Sequence, residues 1–187
     1  MDDTQISELM AYAKRFTGLT PEREAALIQA APTIEPALSP ITEDFYATLQ
    51  QIEQTAPFLE GRLEQLKKTH RSWLAGLFHG PYDSTFTRSM YRVGAVHVQI
   101  GLPVEFMSGG ICLITHQLIQ RVTGLYANAP DQAGQLLSAI NAVTGFSLLI
   151  MQQSYQNASL AVELDRFLKV TGMSRTLFDN LASACHD

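Results

Sequence analysis

Tyr91-Arg-Val-Gly-Ala-Val-His97-Val-Gln-Ile-Gly-Leu-Pro103 completes a run in which Phe86, Met90, Val93, His97 and Ile100 recur at three- and four-residue intervals. That period predicts a helix with one apolar face and puts an imidazole on the face that turns inward. Gly101 and Pro103 supply its stop, and Gly80-Pro-Tyr-Asp-Ser84 reads as a turn ending in an N-cap. One helix earlier, over roughly 58 to 79, Leu63, Leu66, His70, Trp73, Leu74 and Leu77 share a face, while Arg62, Lys67, Lys68 and Arg71 mostly occupy the other. His70 therefore also points inward.

Two inward imidazoles on facing helices have the donor chemistry of a metal centre, a haem iron above all. Taken singly, each is read as plainly as a satisfied core histidine. His79 in the turn, and His186 near the end of the chain, are expected in solvent. His116 is expected to face a partner copy.

The same period runs through the whole chain, and no alternating strand pattern interrupts it, so the fold class is all-α. Ile6, Leu9, Met10, Ala13 and Phe16 form a stripe ending at Gly18, and Thr20-Pro21-Glu22 starts the next helix, which makes the first helix an N-terminal attachment. Pro32, Pro36 and Pro40 are expected to break the following stretch, after which Phe45, Tyr46, Leu49 and Ile52 give an inward face. Two long helices follow, at roughly 103 to 127 and 131 to 168. The second is longer than one domain needs to cover itself, which points to a homodimer. The division expected is a domain over 1–170 and a tail over 171–187, the tail capped at Ser174 with Leu177, Phe178 and Leu181 on one face.

With 187 residues, 46% of them hydrophobic and 17% charged, the chain can enclose an object the size of a cofactor in one domain. A net charge of -5, with no basic and aromatic patterning, argues against nucleic-acid binding. Cys112 and Cys185 form no metal-binding or disulfide spacing, and Cys112 is read as a core thiol. Met1-Asp-Asp-Thr-Gln lacks the features of a secretory signal, and the apolar run Ala142 to Met151 is too short to span a bilayer, so a soluble cytoplasmic protein without a membrane partner is expected. No Ser-His-Asp set, paired acids or phosphate loop is present, so no catalytic residue is assigned. Gly109-Gly110 reads as a close helix crossing.

Leu66-Lys-Lys-Thr-His-Arg-Ser-Trp73, Leu77-Phe78-His-Gly80-Pro-Tyr82-Asp83 and Arg92-Val-Gly-Ala-Val-His97-Val-Gln-Ile-Gly101-Leu102-Pro103, preceded by Glu43-Asp-Phe45-Tyr46, occur here in one order and spacing. In this the chain resembles the sensor globins, the haem domains of globin-coupled sensors. The resemblance implies a globin fold, a three-on-three-like helical sandwich with an extra N-terminal helix and long C-terminal helices. It implies haem b with His97 as proximal iron ligand, and Tyr46 on the distal side as a hydrogen-bond donor to bound O2. Thr69 falls where relatives carry a second distal hydroxyl and Leu66 where they carry a gate; Phe45, Phe58 and Val93 would line the haem. A diatomic gas is the implied ligand, and a homodimer through the two long C-terminal helices the implied assembly.

Three features depart from that pattern. His70 lies 27 residues before His97 at a distal position, as in relatives whose iron is held by both, so the resting iron is either six-coordinate through His70 or five-coordinate with His70 only hydrogen-bonded. Phe106-Met107 stands where some relatives place Trp-Tyr. The chain ends soon after the globin helices, which suggests a stand-alone sensor with a separate signalling partner. A haem enzyme acting on NO, nitrite or peroxide, and a haem-free globin-like module, are the competing classes. Arg92, Lys67 and Lys68 are candidate partners for haem propionates. Trp73 and Phe78 are expected in the core.

Overall fold

The computed structural model describes residues 1–184; Cys185 and His186 lie outside the described residues. Helix α1 (Asp3–Thr17) opens with a reciprocal cap, in which Gln5 N donates to the Asp2 carboxylate at 2.8 Å and Asp2 N donates to the Gln5 side chain at 3.1 Å. It ends at Gly18, whose φ of 69° is left-handed. Its buried line is Ile6 and Ala13 with Met10 beside them; Phe16 is 73% exposed and packs on Tyr12 outside, contrary to its place in the expected stripe. A step of three from Ala13 rotates it off the buried line.

Helix α2 (Pro21–Gln51) corrects a second expectation, because Pro32, Pro36 and Pro40 lie inside one continuous helix. Their spacing of four places all three on a single exposed line, so the carbonyls they leave without helical partners, those of Ile28, Pro32 and Pro36, face water. Each proline costs about 3 kcal/mol in a helix interior. Buried residues such as Leu27, Ile34, Leu38, Ile41 and Phe45 contribute about 1.5–3 kcal/mol each and outnumber the prolines. Ile52 caps the end of α2 and is exposed rather than inward.

A 3-10 turn (Ala56–Leu59) leads to α3 (Leu63–Gly76). In the following turn the Tyr82 hydroxyl donates to the Leu77 carbonyl at 2.7 Å, and Phe78 is fully buried. Helix α4 (Ser84–Gln99) starts at Asp83, whose carboxylate accepts from Thr85 N and Phe86 N at 2.8 and 3.0 Å. Then come α5 (Val104–Leu125), α6 (Pro130–Thr171) and α7 (Arg175–Ala184), the last preceded by Ser174, which accepts from Leu177 N at 3.2 Å. No strand occurs among the described residues.

Helix α6 is the centre of the packing, touching α4, α5, α2 and α1. It is long and apolar enough to cross a membrane, but its buried residues, from Leu136 to Ser154, form the core of the fold. Beyond them Leu160, Val162, Phe167 and Val170 are exposed. Cys112, expected in the core, lies exposed on α5, which buries its Ile111, Ile114 and Leu118 face instead.

The close helix crossing is at Gly94, not at Gly109-Gly110. A Cβ on Gly94 would stand 2.1 Å from the Met151 carbonyl oxygen and 2.8 Å from the Ser154 Cβ, whereas one on Gly109 meets nothing within 4 Å and one on Gly110 meets only the Phe45 ring. In an open helix position Gly→Ala gains about 1 kcal/mol. At Gly94 the crossing must open, at a cost of roughly 1–3 kcal/mol. Urea denaturation should therefore show Gly94→Ala destabilised and Gly109→Ala unchanged or stabilised; a Gly94→Ala protein as stable as the parent would show that the two backbones do not meet there.

Candidate functional site

Because α2 packs on α3 while α4 packs on α6, a cavity of about 510 Å³ is left among α2, α3, α4 and α5, within the roughly 300–1,000 Å³ typical of small-molecule and cofactor sites. Its lining is mainly apolar and aromatic, including Leu49, Phe58, Leu59, Phe106, Met107, Ile111 and Met151. All seven residues expected at the site line it: Phe45 and Tyr46 from α2, Leu66, Thr69 and His70 from α3, Val93 and His97 from α4.

The His70 ring is held on three sides. Phe45 stacks flat on it, with centroids 4.8 Å apart and planes 5° from parallel, and Tyr46 meets it edge-on at 5.6 Å. The Thr42 hydroxyl lies 2.9 Å from its Nδ1. Its Nε2 is buried and has no hydrogen-bond partner. His97 Nδ1 is likewise buried and unpartnered. An unpartnered buried polar atom costs about 1–3 kcal/mol, and both of these nitrogens belong to imidazoles that line the one cavity. Burial holds both imidazoles below the ordinary pKa: His70 is lowered to about 4, mainly by desolvation with the Arg71 charge adding, and His97 is lowered by desolvation. Burial pushes the Tyr46 phenol up to about 12, so it stays a donor.

Among the described residues no three His, Cys, Asp or Glu side chains are grouped to hold a bare metal ion. Two imidazoles suit a metal that brings its own planar ligands, and an apolar slot with aromatic walls suits the macrocycle carrying it. The residues thus fit a haem. Cations for its carboxylates are at the rim: Arg92 lines the cavity, and so does Arg62, which the sequence reading did not single out. Of the other candidates, Lys67 is engaged by Glu43 at 2.6 Å and Glu64 at 3.6 Å, and neither it nor Lys68 lines the cavity.

Thr69 presents little free polarity, since its hydroxyl donates to the Gln65 carbonyl at 2.9 Å. Trp73, expected in the core, is part of the cavity wall, and its indole N–H reaches the Met90 sulfur at 3.1 Å, joining α3 to α4. His79 pairs with Glu35 at 2.9 Å on the surface, and His116 is exposed on α5. Thr42 was missed. Its signal was a hydroxyl one turn before Tyr46, on the face of Ile41 and Phe45.

The Protoglobin family model matches residues 6–160. Over 112 residues the chain is 31% identical to the "Heme-based aerotactic transducer HemAT" of Halobacterium salinarum, a match that takes in 58% of this chain and 22% of that relative's length. The globin domain of a Geobacter sulfurreducens globin-coupled sensor superposes with a TM-score of 0.73 at 26% identity, covering 78% of this chain and 97% of that one. The ferric globin domain of E. coli DosC superposes at 0.64 and 20% identity, covering 76% and 99%, a likeness of fold.

The lowered histidines predict a pH dependence. An unfolded chain takes a proton at His70 near pH 6.5, but the folded one resists until about pH 4. Ligand-free protein therefore loses stability as pH falls through that window, by up to about 1.4 kcal/mol per pH unit from His70, and keeps it above. Denaturation of wild type and His70→Gln across pH 4 to 7 should show the smaller slope in the variant; equal slopes would mean that His70 is not buried.

Proposed function

The chain belongs to the protoglobin family, and we propose that it is a haem-based gas sensor, binding haem b in the cavity between α3 and α4 with His97 as the proximal ligand. One observation carries this reading: two partly buried imidazoles, each with one buried and unpartnered nitrogen, line one apolar cavity of cofactor size. Haem b supplies the ferrous iron at which a diatomic gas, O2 first and NO or CO besides, binds.

The roles of the chain's own residues follow from their surroundings. Neutral imidazoles are the ligating form, and desolvation keeps His97 and His70 neutral near pH 7. His97 would hold the iron from α4. His70 would supply the second ligand at rest, so that a gas competes with it and gas affinity is scaled by the fraction of molecules in which His70 has moved off. Tyr46, kept protonated, would donate a hydrogen bond to the gas ligand. Phe45, Leu66 and Val93 exclude water, Thr69 adds to the α3 wall, and Arg62 and Arg92 would pair with the propionates.

A sensor needs a ligand that stabilises one of two packings, and the second packing surface in this reading belongs to a homodimer. Supporting it are the exposed Leu160, Phe167 and Val170 of α6 with Ile119 and Leu125 of α5. We take residues 1–170 as the haem domain and 171–187 as a tail. The setting is cytoplasmic, where an exposed thiol such as Cys112 stays free.

Haem titration of the purified protein tests the site. Wild type and His70→Ala should each develop a Soret band saturating at one haem per chain, and His97→Ala should not; unchanged uptake in His97→Ala would overturn the assignment. Sedimentation equilibrium tests the assembly: wild type should show about twice its 20.7 kDa chain mass and Leu160→Arg/Val170→Arg a single chain mass, whereas a monomeric wild type would contradict the dimer.

A further inference from the structure

Thr42 is fully buried in α2, and the only hydrogen bond its hydroxyl makes among the described residues is to His70 Nδ1, at 2.9 Å. Other threonines of this chain, such as Thr48, Thr69 and Thr87, return their hydroxyls to the carbonyl four residues earlier. Thr42 does not. A buried hydroxyl withheld from its own helix is committed to its partner.

We infer that Thr42 is a positioning residue that fixes the His70 ring through Nδ1 and lets Nε2 present either a lone pair or a proton. The reasoning starts from the inventory of the two groups. A hydroxyl both donates and accepts, and a neutral imidazole carries its proton on either nitrogen. When His70 Nδ1–H donates to Thr42 Oγ, the lone pair is on Nε2, as a metal ligand requires. When Thr42 O–H donates to Nδ1, Nε2 carries the proton and is a hydrogen-bond donor. A carbonyl or carboxylate in place of Thr42 would accept only, and would fix the first form. Among the described residues no other group hydrogen-bonds to the ring: Phe45 stacks on one face, and Tyr46 and Trp73 pack beside it. The two forms differ only in which nitrogen carries the proton, so they interconvert without a net proton from solvent. The same side chain can thus ligate at rest and donate once displaced.

The role given to the second form rests on the haem reading above, but the placement of the ring does not, so the test is made on ligand-free protein. Side-chain nitrogen NMR of 15N-histidine-labelled wild type at pH 7 should show His70 as a neutral ring with a hydrogen-bonded Nδ1. In Thr42→Val, which keeps the shape, that Nδ1 signal should shift to an unbonded position, and Thr42→Ser should restore it. Thr42→Ala gives the same comparison without the branched methyl groups. His70 signals identical in wild type, Val and Ala variants would overturn the assignment, as would a Ser variant that behaves like Val. Failure of wild type to take up haem would instead overturn the proposed function and leave the placement by Thr42 standing.

Discussion

The contact between Gly94 of α4 and the Met151 carbonyl of α6 is the constraint on which the site depends. A missing side chain lets two helices approach to backbone distance, and it fixes both the height and the rotation of α4. His97 lies three residues beyond Gly94, nearly a full turn on, so the same approach determines where its imidazole stands. Met151 serves both sides of the arrangement, since its backbone receives Gly94 while the residue lines the cavity. With α4 packed against α6 and α3 packed against α2, a cavity is left between α3 and α4.

That space is expensive in the ligand-free protein. Two ring nitrogens are buried without partners, and both histidines are desolvated. A fold built only for stability would place apolar side chains there. A ligand that paired those nitrogens would recover the cost, which would couple its binding to stability. Helix α6 extends past the core as an exposed helix that carries Leu160, Val162, Phe167 and Val170 alongside charged residues.

Much of this was legible in the sequence, and the exceptions have physical causes. The period of three and four gave the helices, and the motif around His97 gave the residues of the cavity, because a helical face converts spacing directly into position. The three prolines misled because their effect depends on where they point: spaced by four on a solvent line, they remove hydrogen bonds that water replaces. Gly109-Gly110 looked like a crossing and Gly94 did not, since a glycine's purpose is set by the neighbouring helix, which the local sequence does not contain. Cys112 was misplaced for the same reason. Thr42 was hidden because a threonine in an apolar stripe has an unremarked default, bonding its own helix, and only the position of His70 across the helix pair shows that it has another partner.

The central claim is that His97 and His70 serve one metal from opposite helices. The absorption spectrum of ferric haem-loaded protein beside that of His70→Ala tests it most directly. The account predicts a six-coordinate, low-spin wild type that becomes high-spin on substitution; identical spectra for the two proteins would contradict it.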